Sequence, residues 1–166
     1  FRSVPGMEFF APASGEELRD ILYYAWGKND GPVAVRYPRG SSGSVDLNVN
    51  EYNEFRPGRI KLLTKGDDVA IIETAAILKK RGIAATVVNL LSIKPLDVKG
   101  LSKVIERCGR FITLENGYAG GGIGEYIYSI LDPALCGKRI MNGGFPDRFI
   151  WHGSMKEILK DFGMDP

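Results

Sequence analysis

Residues 7 to 37 run strand, helix, strand, and this order limits the fold more than anything else in the chain. "MEFFA" reads as a short strand stopped by Pro12. "SGEELRDILYYAWG" follows, with Ser14 and Glu17 spaced as a capping box at a helix start. Leu18, Ile21, Leu22, Ala25 and Trp26 recur at helical spacing and predict one apolar face. After Gly27 and the "NDG" turn, "PVAVRY" is a second strand. Two strands joined by a helix over this length make a parallel βαβ unit. One such unit is too small to be a domain, so it must complete a sheet whose other strands lie elsewhere.

Between Gly40 and Gly58 the chain is rich in Gly, Ser and Asn and has little periodicity, which predicts a linker. The pattern then restarts. "RIKLLT" and "VAIIE" read as strands flanking the "KGDD" turn, antiparallel to each other. "TAAILKKRG" is a short helix with Lys79, Lys80 and Arg81 at the negative end of its dipole and Gly82 as its stop. "ATVVNL" is a strand, and Asp97 caps a helix that places Val98, Leu101, Val104, Ile105 and Cys108 on one side. "RFITLE", "GIGEYIYSILD" and "KRIMN" continue as strand, helix, strand. Ser154 and Glu157 open a last helix with a second capping box. Alternation of this kind predicts an α/β fold with an open, mostly parallel sheet covered by helices on both faces.

Lys plus Arg number 22 against 20 for Asp plus Glu, a balance that gives no charge argument for a nucleic-acid or membrane partner. No apolar run reaches the length of a membrane span. Cys108 and Cys136 lack a metal-ligand spacing, and Cys108 falls on a helix's apolar stripe, as a buried thiol in a reducing cytoplasm would. The chain does not start with Met and enters structured-looking sequence at once, which reads as a piece of a longer protein.

The glycine-rich stretch "ENGYAGGGIGEYI" follows a strand and leads into a helix, where phosphate-binding loops stand. Its spacing fails the dinucleotide fingerprint: Gly120 and Gly122 are followed by Glu125 where glycine is needed, and Gly122 and Gly124 by Ile127. Glu115 and Glu125 would also repel a phosphate. The stretch therefore reads as close packing of a helix start on neighbouring backbone. His152 is the single histidine, and nothing in the sequence pairs it with a nucleophile or base. "VRYPRG" carries more. Arg36 and Arg39 bracket Pro38 at the carboxyl end of a parallel strand, the edge where open α/β sheets place ligands. Arg36 alternates with Tyr37 inside the strand, which suits a structural ion pair. Arg39 lies beyond it in a turn, where a guanidinium can grip a phosphate or carboxylate with two hydrogen bonds or make an ion pair.

These segments, with "RSVPGMEFFAPASGEELRDILYYA", "GDDVAII", "KPLD" and "GFPDRFIWHGSMKEILKDFGMD", resemble in order the C-terminal part of the 1-deoxy-D-xylulose-5-phosphate synthases of the transketolase superfamily. "RYPRG" together with "GFPDRFIWHGS" carries the resemblance most specifically. It implies residues 1–40 as the end of a thiamine pyrimidine-binding domain, 41–57 as a linker and 58–166 as a transketolase C-terminal domain. It implies a cytoplasmic homodimer that condenses pyruvate with glyceraldehyde 3-phosphate on thiamine diphosphate and Mg2+, releasing carbon dioxide, for isoprenoid, thiamine and pyridoxal synthesis. The groups that bind the cofactor and metal, and the glutamate that activates the ring, would lie outside this chain. The partners implied are the rest of the same polypeptide and a second copy, with 118–128 a candidate contact. Of the family's site residues only Arg39 maps here, as a contact to the phosphate of glyceraldehyde 3-phosphate.

One stretch departs from the family. After "VAII" only "ET" precedes "AAILKKRG", where the family has a threonine-glycine loop and a longer helix. About ten residues fewer leave a crossover near the minimum for a βαβ connection. The readings left beside the synthase are the C-terminal half of a split transketolase, a 2-oxo-acid dehydrogenase β subunit, and a non-catalytic assembly or ligand-binding module.

Overall fold

A computed structural model describes residues 2–28, 30–37, 51–71, 83–131, 135 and 139–163. The described elements are, in chain order, β1 (Glu8–Phe10), α1 (Gly15–Gly27), β2 (Val33–Val35), β3 (Lys61–Thr64), β4 (Val69–Ile71), β5 (Ala85–Asn89), β6 (Ser92–Lys94), α2 (Val98–Arg107), β7 (Arg110–Tyr118), α3 (Ile123–Ile130), β8 (Arg139–Phe145) and α4 (Met155–Asp161). The chain divides into one unit of Phe1–Leu62 with Asn89–Leu101 and another of Leu63–Val88 with Ser102–Pro166.

In the first unit β1 and β2 pair in parallel, Glu8 beside Val33 and Phe10 beside Val35, with α1 as the crossover. The Ser14 hydroxyl accepts the Glu17 N–H at 3.2 Å and so caps α1. The apolar face of α1 differs from the sequence reading. Ile21 is buried, and Tyr24 meets the rings of Phe10 and Phe55 edge-on. Leu22 and Trp26 are exposed instead. At 3.6 residues per turn, Ile21, Tyr24 and Lys28 share one line along the helix, and Leu22 and Trp26 fall on another. The core is Phe10, Ile21 and Leu91, packed against Tyr24, Val33, Val35 and Phe55.

A third strand joins this sheet from far along the chain. β6 pairs antiparallel with β1, giving the order β2-β1-β6. Asp97 fixes its return: one carboxylate oxygen accepts the Gly100 N–H at 2.9 Å, and the other the Ile60 N–H at 3.2 Å. Asp97 thus caps α2, as its place in the sequence predicts.

The larger sheet has the order β3-β5-β4-β7-β8, and the β5–β4, β4–β7 and β7–β8 pairs are parallel. This is the open, mostly parallel α/β sheet the alternation predicts. The expected antiparallel pairing of "RIKLLT" with "VAIIE" does not occur, because β5 lies between β3 and β4. The "KGDD" turn shows the reason. The Gly66 N–H donates to the Thr86 hydroxyl at 3.0 Å, and a Cβ on Gly66 would collide with the Ala84 backbone. Gly66 therefore lets the turn lie against the start of β5 instead of folding β3 onto β4. Val69, Ile71, Ala85 and Val87 form the core of one face, with Ile112 and Leu114 against them. Cys108 is buried. The short helix expected from "TAAILKKRG", and Cys136, lie outside the described residues.

Candidate functional site

The carboxyl edge of the parallel β1–β2 pair is where the sequence places a ligand site. The Arg36 N–H donates to the Phe10 carbonyl at 2.8 Å, and the Ala11 N–H to the Leu91 carbonyl at 2.9 Å, so both strand ends are tied. Arg36 and Tyr37 stand exposed there. Arg39 and its neighbours Pro38 and Gly40 lie outside the described residues.

The whole glycine stretch lies within the described residues. β7 runs on through Tyr118, longer than "RFITLE" predicts. The Glu115 carboxylate lies under the start of α3 and accepts the N–H groups of Ile123 at 3.1 Å and Gly124 at 3.3 Å. Glu125 accepts the Gly121 N–H at 2.7 Å. A helix start attracts a phosphate through free N–H groups and the positive end of its dipole. Here the chain's own carboxylates occupy those N–H groups. The glycines give clearance: a Cβ on Gly122 would collide with the Glu115 carboxylate, and one on Gly124 with Thr113 and Asn142. Beneath Gly124 the Thr113 hydroxyl donates to the Asn142 side-chain oxygen at 2.9 Å. The helix start packs closely, as expected, but Gly122 and Gly124 lie against side chains of β7 and β8 and not against neighbouring backbone.

The first unit holds a charged cleft of about 470 Å3 beside α1, with Phe55, Ile60 and Leu91 as apolar lining. Two carboxylates of α1 anchor one wall. Glu17 accepts the Ala13 N–H at 2.9 Å, Lys61 Nζ at 2.7 Å and Asn89 Nδ2 at 3.3 Å. Asp20 accepts Arg19 Nη2 at 2.8 Å and both the backbone N–H and the side-chain amide of Asn53, at 3.2 and 3.1 Å. Partial burial pushes the Asp20 carboxyl up, but the Arg19 and Asn53 donors outweigh it and hold it below its ordinary value. On the rim Arg56 pairs with Glu54 at 2.7 Å. Tyr52 stacks on Tyr23 at 3.5 Å between ring centroids. The described part of the stretch read as a linker is therefore fastened to α1 by Tyr52, Asn53 and Phe55. Sequence spacing showed only the local half of Glu17's role, because its other partners lie 44 and 72 residues away.

His152 is exposed. Among the described residues no group of three or more His, Cys, Asp and Glu is placed to hold a metal ion, and no helix is long and apolar enough to cross a membrane. With the glycine loop's N–H groups taken, the described residues offer no fit for a diphosphate cofactor and its metal.

Residues 58–166 match the family model "Transketolase, C-terminal domain". Among curated proteins, "1-deoxy-D-xylulose-5-phosphate synthase 1" of Geobacter sulfurreducens is 38% identical over 99% of this chain and 27% of its own length. The synthases of Chlorobaculum tepidum and Thermomicrobium roseum are each 35% identical, over 98% and 99% of this chain and 27% and 28% of their own. The chain thus spans about 27% of the length of these relatives. A solved structure described as "Split gene transketolase, inactive beta4 tetramer" matches with a TM-score of 0.80 and 28% identity, over 98% of this chain and 55% of that one.

Proposed function

The chain belongs to the transketolase C-terminal domain family, and on that premise we propose that it is the C-terminal portion of a 1-deoxy-D-xylulose-5-phosphate synthase. The observation that carries this reading is the reach of the likeness. Relatives of that name match 98–99% of the chain, including the βαβ unit ahead of residue 58, which the family model leaves out. In this reading 1–40 ends a pyrimidine-binding domain, 41–57 links it to the next, and 58–166 is the C-terminal domain. The complete enzyme is a cytoplasmic homodimer. It joins pyruvate to glyceraldehyde 3-phosphate with loss of carbon dioxide, and it holds thiamine diphosphate and Mg2+ with residues outside this chain. The product feeds isoprenoid, thiamine and pyridoxal synthesis.

The part assigned to this chain is a grip on the acceptor. β2 delivers the chain to the carboxyl edge of a parallel pair, and Arg39 follows within four residues of its end. A guanidinium there meets the phosphate of glyceraldehyde 3-phosphate. Losing a charge-assisted contact costs about 1.5–3 kcal/mol. At about 1.4 kcal/mol per decade, Arg39→Ala in the full-length enzyme should lower kcat/KM for this substrate roughly 10- to 150-fold. Arg39→Lys should recover only part of the loss. Steady-state kinetics with phosphorylated and unphosphorylated glyceraldehyde decide the matter; equal losses for both would remove Arg39 from the phosphate site.

The likeness to a split-gene transketolase favours one rival, the C-terminal half of a split transketolase. A substrate screen on the complete enzyme separates the two. Pyruvate with glyceraldehyde 3-phosphate supports the synthase, and turnover only with ketose donors supports the rival.

A further inference from the structure

Tyr23 of α1 and Tyr52 of the stretch after residue 50 break the pattern of the aromatic contacts around them. Phe10, Tyr24 and Phe55 meet edge-on, with ring centroids 5.0 to 5.9 Å apart. Aromatic rings prefer that arrangement, because the positive edge of one meets the negative face of the other. Tyr23 and Tyr52 instead lie face to face, with centroids 3.5 Å apart and planes 22° from parallel. Asp20, one helical turn before Tyr23, holds them there. It accepts the backbone N–H and the side-chain amide of Asn53, the residue after Tyr52, at 3.2 and 3.1 Å.

The hydroxyls meet as well: a hydrogen bond with the Tyr23 side chain raises the Tyr52 pKa above its ordinary value. Stacked rings whose hydroxyls meet point the same way. The carbons beside one hydroxyl therefore lie over the carbons beside the other. Tyr23 and Tyr52 are 53% and 47% exposed, so a small molecule in solution can reach both. Tyr24 is placed otherwise. Its hydroxyl donates to Glu8 at 2.9 Å, and its ring packs on Phe10 and Phe55.

We propose that Tyr23 and Tyr52 form an oxidative cross-linking site, at which a diffusible one-electron oxidant such as a peroxyl radical joins the two rings as dityrosine. Each phenol gives up one hydrogen atom, and two peroxyl radicals become two hydroperoxides. The unpaired electron of a phenoxyl radical is shared between the oxygen and the ring carbons beside and opposite it. A bond between two such carbons forms out of the plane of each ring, along the direction in which stacked rings face one another. Each joined carbon then releases its proton and each oxygen takes one up, which restores both phenols. Holding the partners in contact replaces a chance encounter of two short-lived radicals. The product fastens the chain at Tyr52 to α1 by a covalent bond, where the Asp20–Asn53 hydrogen bonds now serve. The site is independent of the reaction that the complete enzyme performs.

Illumination of the full-length protein with a ruthenium tris-bipyridine sensitiser and persulfate supplies a one-electron oxidant. Tandem mass spectrometry should then find the peptides of Tyr23 and Tyr52 joined, lighter together by two hydrogen atoms. The yield should fall several-fold when the protein is first unfolded in denaturant. Tyr52→Phe and Tyr23→Phe keep a ring in the stack and should each abolish the link, whereas Tyr24→Phe should leave it in place. Oxidation that joins other tyrosines but not this pair would overturn the proposal. So would a yield that is the same in denaturant, or a link at Tyr52 that survives Tyr23→Phe. A link that appears only in covalent dimers on a denaturing gel would assign it to two copies and overturn the proposal equally.

Discussion

Helices α3 and α4 both start with a carboxylate that accepts backbone N–H groups, yet the carboxylates come from different places. In α4 the cap is local: Glu157 accepts the Ser154 N–H at 2.9 Å, and the Ser154 hydroxyl accepts the Glu157 N–H at 3.3 Å. In α3 the N-cap is Gly122, which has no side chain, and the carboxylate is Glu115 from β7. The local cap can form wherever its four residues occur. The remote cap ties the helix to the sheet and demands clearance between them, which the glycines provide. A glycine cluster at a helix start can therefore signal one of the chain's own carboxylates as readily as a bound phosphate.

Filling the clearance should have the largest effect. Gly122→Leu would displace the Glu115 carboxylate and overpack its site, destabilising the second unit by about 3–5 kcal/mol. Gly121→Ala is the control. It strains a backbone at φ +74° but meets nothing within 4 Å, so it should cost only about 1–2 kcal/mol. Hydrogen exchange at the Ile123 and Gly124 amides reads both, and equal effects would show that backbone strain, not clearance, explains the glycines.

Removing the charges is milder. Glu115→Gln keeps the shape and should cost about 1.5–3 kcal/mol, as expected for hydrogen bonds to a charged group. Ser154→Ala should cost about 1 kcal/mol, the usual value for an exposed N-cap. Denaturant unfolding of the pair tests the order, and a costlier Ser154→Ala would invert the contrast.

Acid should give the smallest effect. Hydrogen bonds from the Ser154 side chain and then its backbone hold the Glu157 carboxyl below its ordinary value. A carboxyl lowered in the folded state contributes stability above its unfolded pKa and loses it as pH falls through the folded one. The α4 cap should therefore hold at neutral pH and loosen only on acidification beneath the ordinary glutamate range. The Ser154 amide proton followed by NMR reports it, and a shift that moves near neutrality would contradict the cap.

Local rules carried most of what the sequence showed. The capping serines and Asp97 depend on residues a few positions apart, and the parallel β1–β2 pair on a single crossover helix. The failures depend on distance. β6 stayed hidden because its partner β1 is more than eighty residues away, and "LSIKPLD" alone has no strand period. The "KGDD" turn looked like a hairpin because sequence cannot show β5 arriving between its arms. Leu22 and Trp26 fit the helical period as well as Tyr24 does, and only the sheet selects which line is buried. The edge that would carry Arg39 was legible, but Arg39 itself lies outside the described residues.

β6 also bears on how such a chain can be inherited. The stretch matched by the family model starts at residue 58, yet Asn89–Leu101 within it packs with the unit that starts at Phe1. A recombination event that moved residues 58–166 alone would carry one strand of a sheet whose other two stayed behind. The new host would have to supply an edge for β6 or bury it some other way. The segment that recurs as a family is thus not the segment that packs as a body, and the βαβ unit and β6 are bound to evolve as a pair.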